Sequence, residues 1–478
     1  MCGFVVTNTN TKTATLTAAV AHRGTFKPEV VKRFGYQFVH ALMPVQGGKP
    51  TLQPIVGNRH IMVFQGELWE HGGHPSDTEY MFGELMRAAT KPDGNMAATV
   101  NKLEGMFAFV FADQTTIWFA TDVFGEQPIY HHHAQGGMFP KLTVASEMKQ
   151  LRACGIPLQR IKPAKPGMLY KYDMATGTLT ETPYHAFNYD GPRTTEVDHS
   201  HIRGLLAASC KRKYEAVALQ RPALLLSGGV DSAIMAYELS KLGLDRAFTV
   251  AIDPESTDFK TAEVTAARFG LELTKVQAVT LEPDLAIAMS ESKNRSVVEE
   301  YVCHLALAKC LAEQDYRVVF TGSGADELFC GYPYYLRFTS RKDPSSLARM
   351  QEKLVQAYHS RELRILNKVY MSKAIECRSP FLDRELCSYA TTLDINECMV
   401  AGGRMKAALR DAYADKIDSA QNEKIIAGRS MGVIDYFANL NGGMDARVYH
   451  ARHREIFTDN DLLLRLLREL ERVDYKVL

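Results

Sequence analysis

Two places in this 478-residue chain combine residue types and spacing that could do chemistry. The first is Ala223-Leu-Leu-Leu-Ser-Gly-Gly-Val-Asp-Ser232. Four apolar residues without polar alternation read as a strand buried on both faces. Ser227, Gly228 and Gly229 read as a tight turn, and Ile234 to Leu242 as a helix. Free backbone N–H groups and the positive helix end would then point at one spot, an anion cradle suited to phosphate. Asp231 within the turn could reach a metal held by the phosphates. An ordinary strand-to-helix turn that binds nothing is the competing reading, because a Gly pair after a strand is common. The second place is Met1-Cys2-Gly3. Cys is small enough for the initiator methionine to be removed, and its thiol would then share a residue with the α-amine, which can serve as general base. That pairing is a compact acyl-transfer nucleophile. By position alone, an incidental cysteine is the simpler reading.

The rest of the chain must position these groups. Its length suggests two or three domains, and 46% apolar with 23% charged residues is a globular composition. A formal net charge of +1 gives no strong nucleic-acid signal and no membrane footprint. No run reaches the roughly 18 apolar residues of a membrane helix, and no signal peptide is expected. The 9 cysteines are scattered and odd in number, which argues for reduced thiols in a cytoplasmic protein. Cys303 and Cys310 flank His304 without a second ligand pair at zinc spacing. His131-His-His133 cannot easily converge on one ion from an extended chain and reads as a solvated loop.

Residues 1–185 show short strand-like runs, the clearest being Phe4–Val6, His60–Phe64, Gly105–Phe111, Thr116–Ala120 and Met168–Tyr172. With helices near 77–90 and 95–102, this reads as a sheet-rich α+β domain. Ala186 to Glu196 is turn-rich and polar, a joint that places a linker over 186–200. From 201 to 478, strands at Arg246–Ile252, Leu271–Val276 and Tyr316–Phe320 alternate with helical stretches. That alternation predicts an α/β doubly wound parallel sheet with ligands beyond the strand C-termini. Leu462 to Leu470 reads as a terminal helix packed on one face.

His22-Arg-Gly24, Gln53-Pro54, Gln65-Gly-Glu67, Ser76-Asp77, Gly105-Met-Phe-Ala-Phe109, Gly125-Glu-Gln-Pro128 and Ser146-Glu-Met-Lys149 occur in an order that resembles class II glutamine amidotransferases. Ser227-Gly-Gly-Val-Asp-Ser232 resembles the pyrophosphatase loop of enzymes that split ATP into AMP and pyrophosphate. Together, over nearly the whole length, the chain resembles the asparagine synthetase family. The resemblance implies an Ntn-type glutaminase sandwich, followed by a doubly wound sheet of the adenine nucleotide α-hydrolase type with added helices.

It also implies roles. Cys2 would attack the glutamine carboxamide, with Gly66 N–H and the Gln65 amide holding the oxyanion and Glu67 and Asp77 binding the glutamine amino group. Leu226, Ser227, Gly228, Gly229, Asp231, Ser232, Val250, Gly322 and Ser323 would surround ATP, and Asp231 and Asp326 would hold Mg²⁺. The string Glu376-Cys-Arg-Ser-Pro-Phe-Leu-Asp383 matches a family motif on the acceptor side, which assigns Ser323, Glu376, Arg378 and Asp383 to the acceptor site. Lys406-Ala-Ala-Leu-Arg410 matches the family's Lys-x-x-Leu-Arg, and Lys424 is nominated as the ammonium that stabilises charge on the adenylate.

Departures from the family pattern touch both substrates. Gln65 stands for Asn, Leu42 for the Arg that clamps the glutamine α-carboxylate, and Thr25-Phe26 for Pro-Asp. Ser323 replaces a Glu facing the adenylate, and Asn422 falls where the catalytic Lys belongs. The expected activity is an ATP-dependent amide-forming ligase that adenylates a carboxylate and transfers ammonia from glutamine. Its cofactors would be ATP and Mg²⁺ and its substrates glutamine and a carboxylate such as aspartate; a homodimer is allowed. The first alternative is a relative using another carboxylate and an amine or ammonia acceptor, with a weakened or inactive glutaminase domain. The other is a binding protein without turnover.

Overall fold

The computed structural model describes residues 2–45, 50–135, 140–279, 282–339, 344–417, 431, 446–459, 462–463, 465–466 and 475–477. Asn422, Lys424 and part of the Leu462–Leu470 tail lie outside the described residues.

The central strands of the first half are buried on both faces, one against the opposite sheet and the other under helices. Two six-stranded antiparallel sheets result. One runs, in spatial order, Lys162–Pro163, Tyr130–Ala134, Lys141–Ala145, Gly3–Thr7, Tyr36–Ala41, Glu29–Arg33. The other runs Leu179–Pro183, Met168–Asp173, Thr116–Thr121, Gly105–Ala112, Ile61–Leu68, Ile55–Val56. Phe4, Val6 and Phe38 of the first meet Val63, Val110 and Phe119 of the second in a buried cluster, the expected Ntn-type sandwich. Phe119 stacks on Tyr170 at 4.7 Å between centroids. Phe119→Ala is expected to cost about 3–5 kcal/mol through the cavity it leaves; a melting midpoint unchanged from the wild type would contradict this packing.

His131 to His133 belong to the strand Tyr130–Ala134 and not to a solvated loop. Pleating turns His131 inward, between Phe119 at 5.4 Å and Tyr170 at 5.2 Å. Burial lowers its pKa to about 3, so it packs as a neutral aromatic ring.

In the second half the parallel sheet has the order Glu376–Arg378, Val318–Phe320, Ala223–Leu225, Arg246–Ala251, Glu272–Ala278, closed by an antiparallel edge strand, Tyr475–Val477. The chain leaves Ala223–Leu225 in one direction for the next two strands, then returns to its other side for Val318–Phe320. That reversal opens a crevice at the C-terminal ends of these two strands, where open α/β sheets bind ligands. The segment between the halves is tied down: Thr194 N–H donates to Thr392 O at 2.7 Å, Asp394 N–H donates to Thr194 O at 2.8 Å, and the helix His199–Glu215 begins directly afterwards.

Candidate active site

The crevice is built by two short loops that need glycine. Strand Ala223–Leu225 ends in Ser227-Gly-Gly, and Gly229 starts the helix Val230–Ser240. A Cβ at Gly228 would lie 1.9 Å from Thr261 Oγ1, and one at Gly322 would lie 2.9 Å from Asp231 backbone carbon. The loops therefore approach as closely as backbone permits. Ser232 closes the turn, its hydroxyl donating to Ser227 O at 2.5 Å and to Gly229 O at 3.0 Å. Leu226, Ser227, Asp231, Ser232, Val250, Gly322, Ser323 and Asp326 line one cavity of about 140 Å³, while Gly228 and Gly229 form the loop behind it.

Asp231 Oδ2 and Asp326 Oδ1 converge on a single point, each 2.6 Å from Lys406 Nζ. Burial works against the Lys406 charge, but the two carboxylates outweigh it and hold the ammonium above its usual range. Lys406 reaches in from a left-handed residue, φ 56°, just before the helix Ala407–Ala412. The sequence reading matched Lys406 to a motif without placing it in the site; the run Lys406-Ala-Ala-Leu-Arg410 was the available signal. Two carboxylates aimed at one cation position suit Mg²⁺, with Lys406 occupying that position in this structure. Next to Asp326, Glu327 bonds the Tyr332 hydroxyl. Burial and the Asp326 charge raise its pKa to about 7. Among the described residues no group of three or more His, Cys, Asp and Glu forms a further metal cluster.

The thiol lies in a separate, smaller cavity of about 70 Å³ lined by Cys2, Leu42, Gly66, Glu67 and Asp77 among others. Cys2 Sγ accepts from Met43 N–H at 3.5 Å, and burial pushes the thiol pKa up. Gly66 has φ +106°, and a Cβ there would sit 2.0 Å from Met106 O, so the strand can present its backbone to the cavity only with glycine. Asp77 opens the helix Asp77–Thr90, and its carboxylate accepts from Leu68 N–H at 3.2 Å and Thr78 N–H at 2.6 Å. No Lys or Arg is among the described residues lining this cavity, and Leu42 occupies part of its wall.

Two expectations are corrected here. Gln65 does not face the thiol: its amide donates to Pro128 O at 3.1 Å and accepts from Ser146 at 2.5 Å, and it does not line the cavity. Strand pleating explains this, since Gln65 sits directly beside Gly66 and its side chain leaves the opposite face. Glu376, Arg378 and Asp383 likewise do not line the nucleotide crevice. Arg378, fully buried, pairs with Glu67 and with Glu376, the latter at 2.7 Å, and lies over the Trp69 ring at 5.2 Å. It is a bridge to the thiol cavity. Asp383 caps the helix Arg384–Ala390 by accepting from Glu385 and Leu386 N–H, both at 3.1 Å, and pairs with Arg212 at 2.5 Å.

A second buried ion network joins the halves. Glu147 contacts His22 at 2.7 Å, Arg23 at 2.9 Å and Lys149 at 3.2 Å, while Glu291 contacts Lys368 and, at 3.8 Å, Lys149. Burial opposes ionisation of Glu147, but Lys149, His22 and Arg23 outweigh it and hold the carboxyl well below its usual range. A carboxylate with a depressed folded pKa stabilises above its unfolded pKa, about 4.3, and loses that contribution as pH falls through the folded value. Glu147→Gln is expected to cost about 3–5 kcal/mol at pH 7, because it leaves buried cations unpaired. The gap between wild type and variant should narrow in thermal melts as the pH drops through the acid range; a gap independent of pH would refute the assignment.

Fold and sites together define a two-centre protein, with a thiol cavity in an antiparallel sandwich and an acid-rimmed crevice at the switch point of a parallel sheet. The family model for asparagine synthase matches residues 201–345 and 339–476, and that for the glutamine amidotransferase domain matches residues 1–185. The chain belongs to the asparagine synthase family and is an ATP-using ligase with a glutamine amidotransferase domain. Similar curated proteins include the glutamine-hydrolysing asparagine synthetases of Mus musculus and Homo sapiens. Each is 24% identical over 443 residues, covering 83% of this chain and 77% of the relative. Among solved structures, a glutamine phosphoribosylpyrophosphate amidotransferase from B. subtilis aligns at 13% identity and a TM-score of 0.30, over 79% of this chain and 81% of that one.

Proposed function

We propose that the chain adenylates a substrate carboxylate with ATP, releasing pyrophosphate, and passes the acyl group to nitrogen. The observation that carries this reading is the convergence of Asp231 and Asp326 on one cation position beside the Ser227–Ser232 turn. Phosphate oxygens would meet the N–H groups of that turn and the N-terminus of Val230–Ser240. The adenine would lie toward Val250, in the same cavity wall. Mg²⁺, held by Asp231 and Asp326, would neutralise charge on the departing pyrophosphate. Lys406 would keep the acid pair together and turn its ammonium toward phosphate when the nucleotide enters. Aspartate and glutamine are the first substrates to try, a cytoplasmic location fits the free state of the cysteines, and a homodimer remains the oligomer to test.

Two features of the thiol cavity favour weak glutamine use. Arg378 already neutralises Glu67, and Leu42 offers nothing to a carboxylate. Glutamine would therefore bind poorly and the nitrogen would come more readily from solution. In carboxylate-dependent AMP release, ammonium or an amine is expected to outperform glutamine. Cys2→Ala should abolish glutamine hydrolysis while leaving exchange within about twofold, since the thiol acts only as the acyl-transfer nucleophile of its own cavity. Exchange absent with every carboxylate tried would defeat the adenylation reading, and glutamate release surviving Cys2→Ala would defeat the thiol role.

A further inference from the structure

Beside the nucleotide crevice lies a much larger cavity of about 850 Å³. That falls in the range of roughly 300–1,000 Å³ that holds drug-sized ligands, well beyond what a four-carbon amino acid such as aspartate fills. The two spaces adjoin and share part of their walls. Glu300, Tyr301 and Glu362 line both. Tyr358 of the large cavity comes close to Ser323, which lines the crevice.

Charged groups of both signs line the cavity, with three carboxylates toward the crevice. Glu300 and Glu362 stand at the junction, and Glu327 lies next to Asp326 of the crevice; Tyr301, Tyr332 and Tyr358 accompany them. Lys293, Arg361, Arg364, His450, His453 and Arg454 line only the large cavity; Arg361 and Arg364 come from the same helical stretch as Glu362, while Lys293 and Arg454 come from elsewhere. Carboxylates interleaved with tyrosine rings attract an ammonium group by ion pairing and by cation–π contact. The same carboxylates repel an anion.

We propose that this cavity seats an amine-bearing substrate larger than aspartate, its amine at Glu300, Glu327 and Glu362 and an anionic group at Lys293 and Arg454. That amine, in place of ammonia, takes the acyl group. The inference rests on the adenylation reading. A bond forms between the amine nitrogen and the acyl carbon, and the bond from that carbon to the AMP phosphate oxygen breaks. AMP leaves with the electron pair. The ammonium gives up two protons, one before attack and one from the tetrahedral adduct. A carboxylate at the junction takes one, and solvent takes the other.

The test uses the full chain with Mg²⁺ and α,β-methylene-ATP, titrated calorimetrically with glycyl-glycyl-aspartate, its N-acetyl form, and aspartate. The free-amine peptide is expected to bind about tenfold more tightly than the acetylated one, the worth of one partly desolvated ion pair. Glu300→Gln and Glu362→Gln should erase most of that difference. Val297→Trp, which fills the cavity from the helix Arg295–Glu313, should block the peptide and spare the nucleotide. Equal binding of free and acetylated peptide, at whatever affinity, overturns the inference. Nucleotide binding, measured in the same titrations, reports on the adenylation reading separately. A chain that discriminates the amine but takes no nucleotide would lose the adenylation reading and keep the cavity assignment.

Discussion

Arg378→Met is expected to lower the thermal midpoint sharply, by the equivalent of about 3–5 kcal/mol. The guanidinium is buried between Glu67 and Glu376 and also donates to Lys213 O. Its removal leaves two carboxylates in a medium that solvates them poorly, and each must take up a proton or admit water. Desolvation makes the intact network a poor net stabiliser and its half-removal costly. A second substitution, Glu67→Gln, should therefore restore part of the loss, which a contact of ordinary packing would not do. Additive midpoints in the double variant would sink the account. The same pair bears on glutamine: an α-ammonium entering the thiol cavity meets a Glu67 that already has a cation.

Lys406→Met is the other large effect, and it falls on rate. The fold should persist, because Asp231 and Asp326 border a solvent-reachable crevice. Pyrophosphate exchange should drop by about 10²–10³, the cost of removing one preorganised charge from a developing anion. Lys406→Arg should recover little, because a planar fork cannot take a point position 2.6 Å from each of two single oxygens. Raised Mg²⁺ should not rescue Lys406→Met if the ammonium acts on phosphate. Full rescue would show that Lys406 merely holds the metal position.

What was legible in the sequence follows local rules. A run of buried aliphatics ending in small residues announces a strand and phosphate turn without help from tertiary structure, and Ala223–Ser232 and Tyr316–Asp326 read that way. Antiparallel strands of mixed character, such as Glu29–Arg33 and Tyr130–Ala134, did not stand out, since polar residues on their open faces and three consecutive histidines mask the pleat. The ion networks were opaque for a related reason. Charged residues are read as solvent-facing by default, yet Arg23, Glu147, Lys368 and Arg378 are among the most buried side chains. Their partners lie 124 residues away for Arg23 and Glu147, 77 for Lys368 and Glu291 and 311 for Arg378 and Glu67, sequence distances no local pattern records. Lys406 was missed because its position depends on a left-handed turn after Gly402 and Gly403 that carries it across to Asp231. The motif around Glu376 and Arg378 was found but placed on the wrong side of its strand, toward the acceptor when it faces the sandwich.

The shared ion network sets a limit on modular exchange between this chain and its relatives. A foreign amidotransferase half grafted onto residues 201–478 would have to supply a carboxylate for Arg378 and an environment that matches Lys368 and Glu291, whatever the quality of its own thiol site. Recombination between such proteins should therefore succeed by pairs of positions inherited together, and fail at junctions that separate Glu67 from Arg378 or Glu147 from the helix Glu362–Met371, whose Asn367 accepts from Arg23.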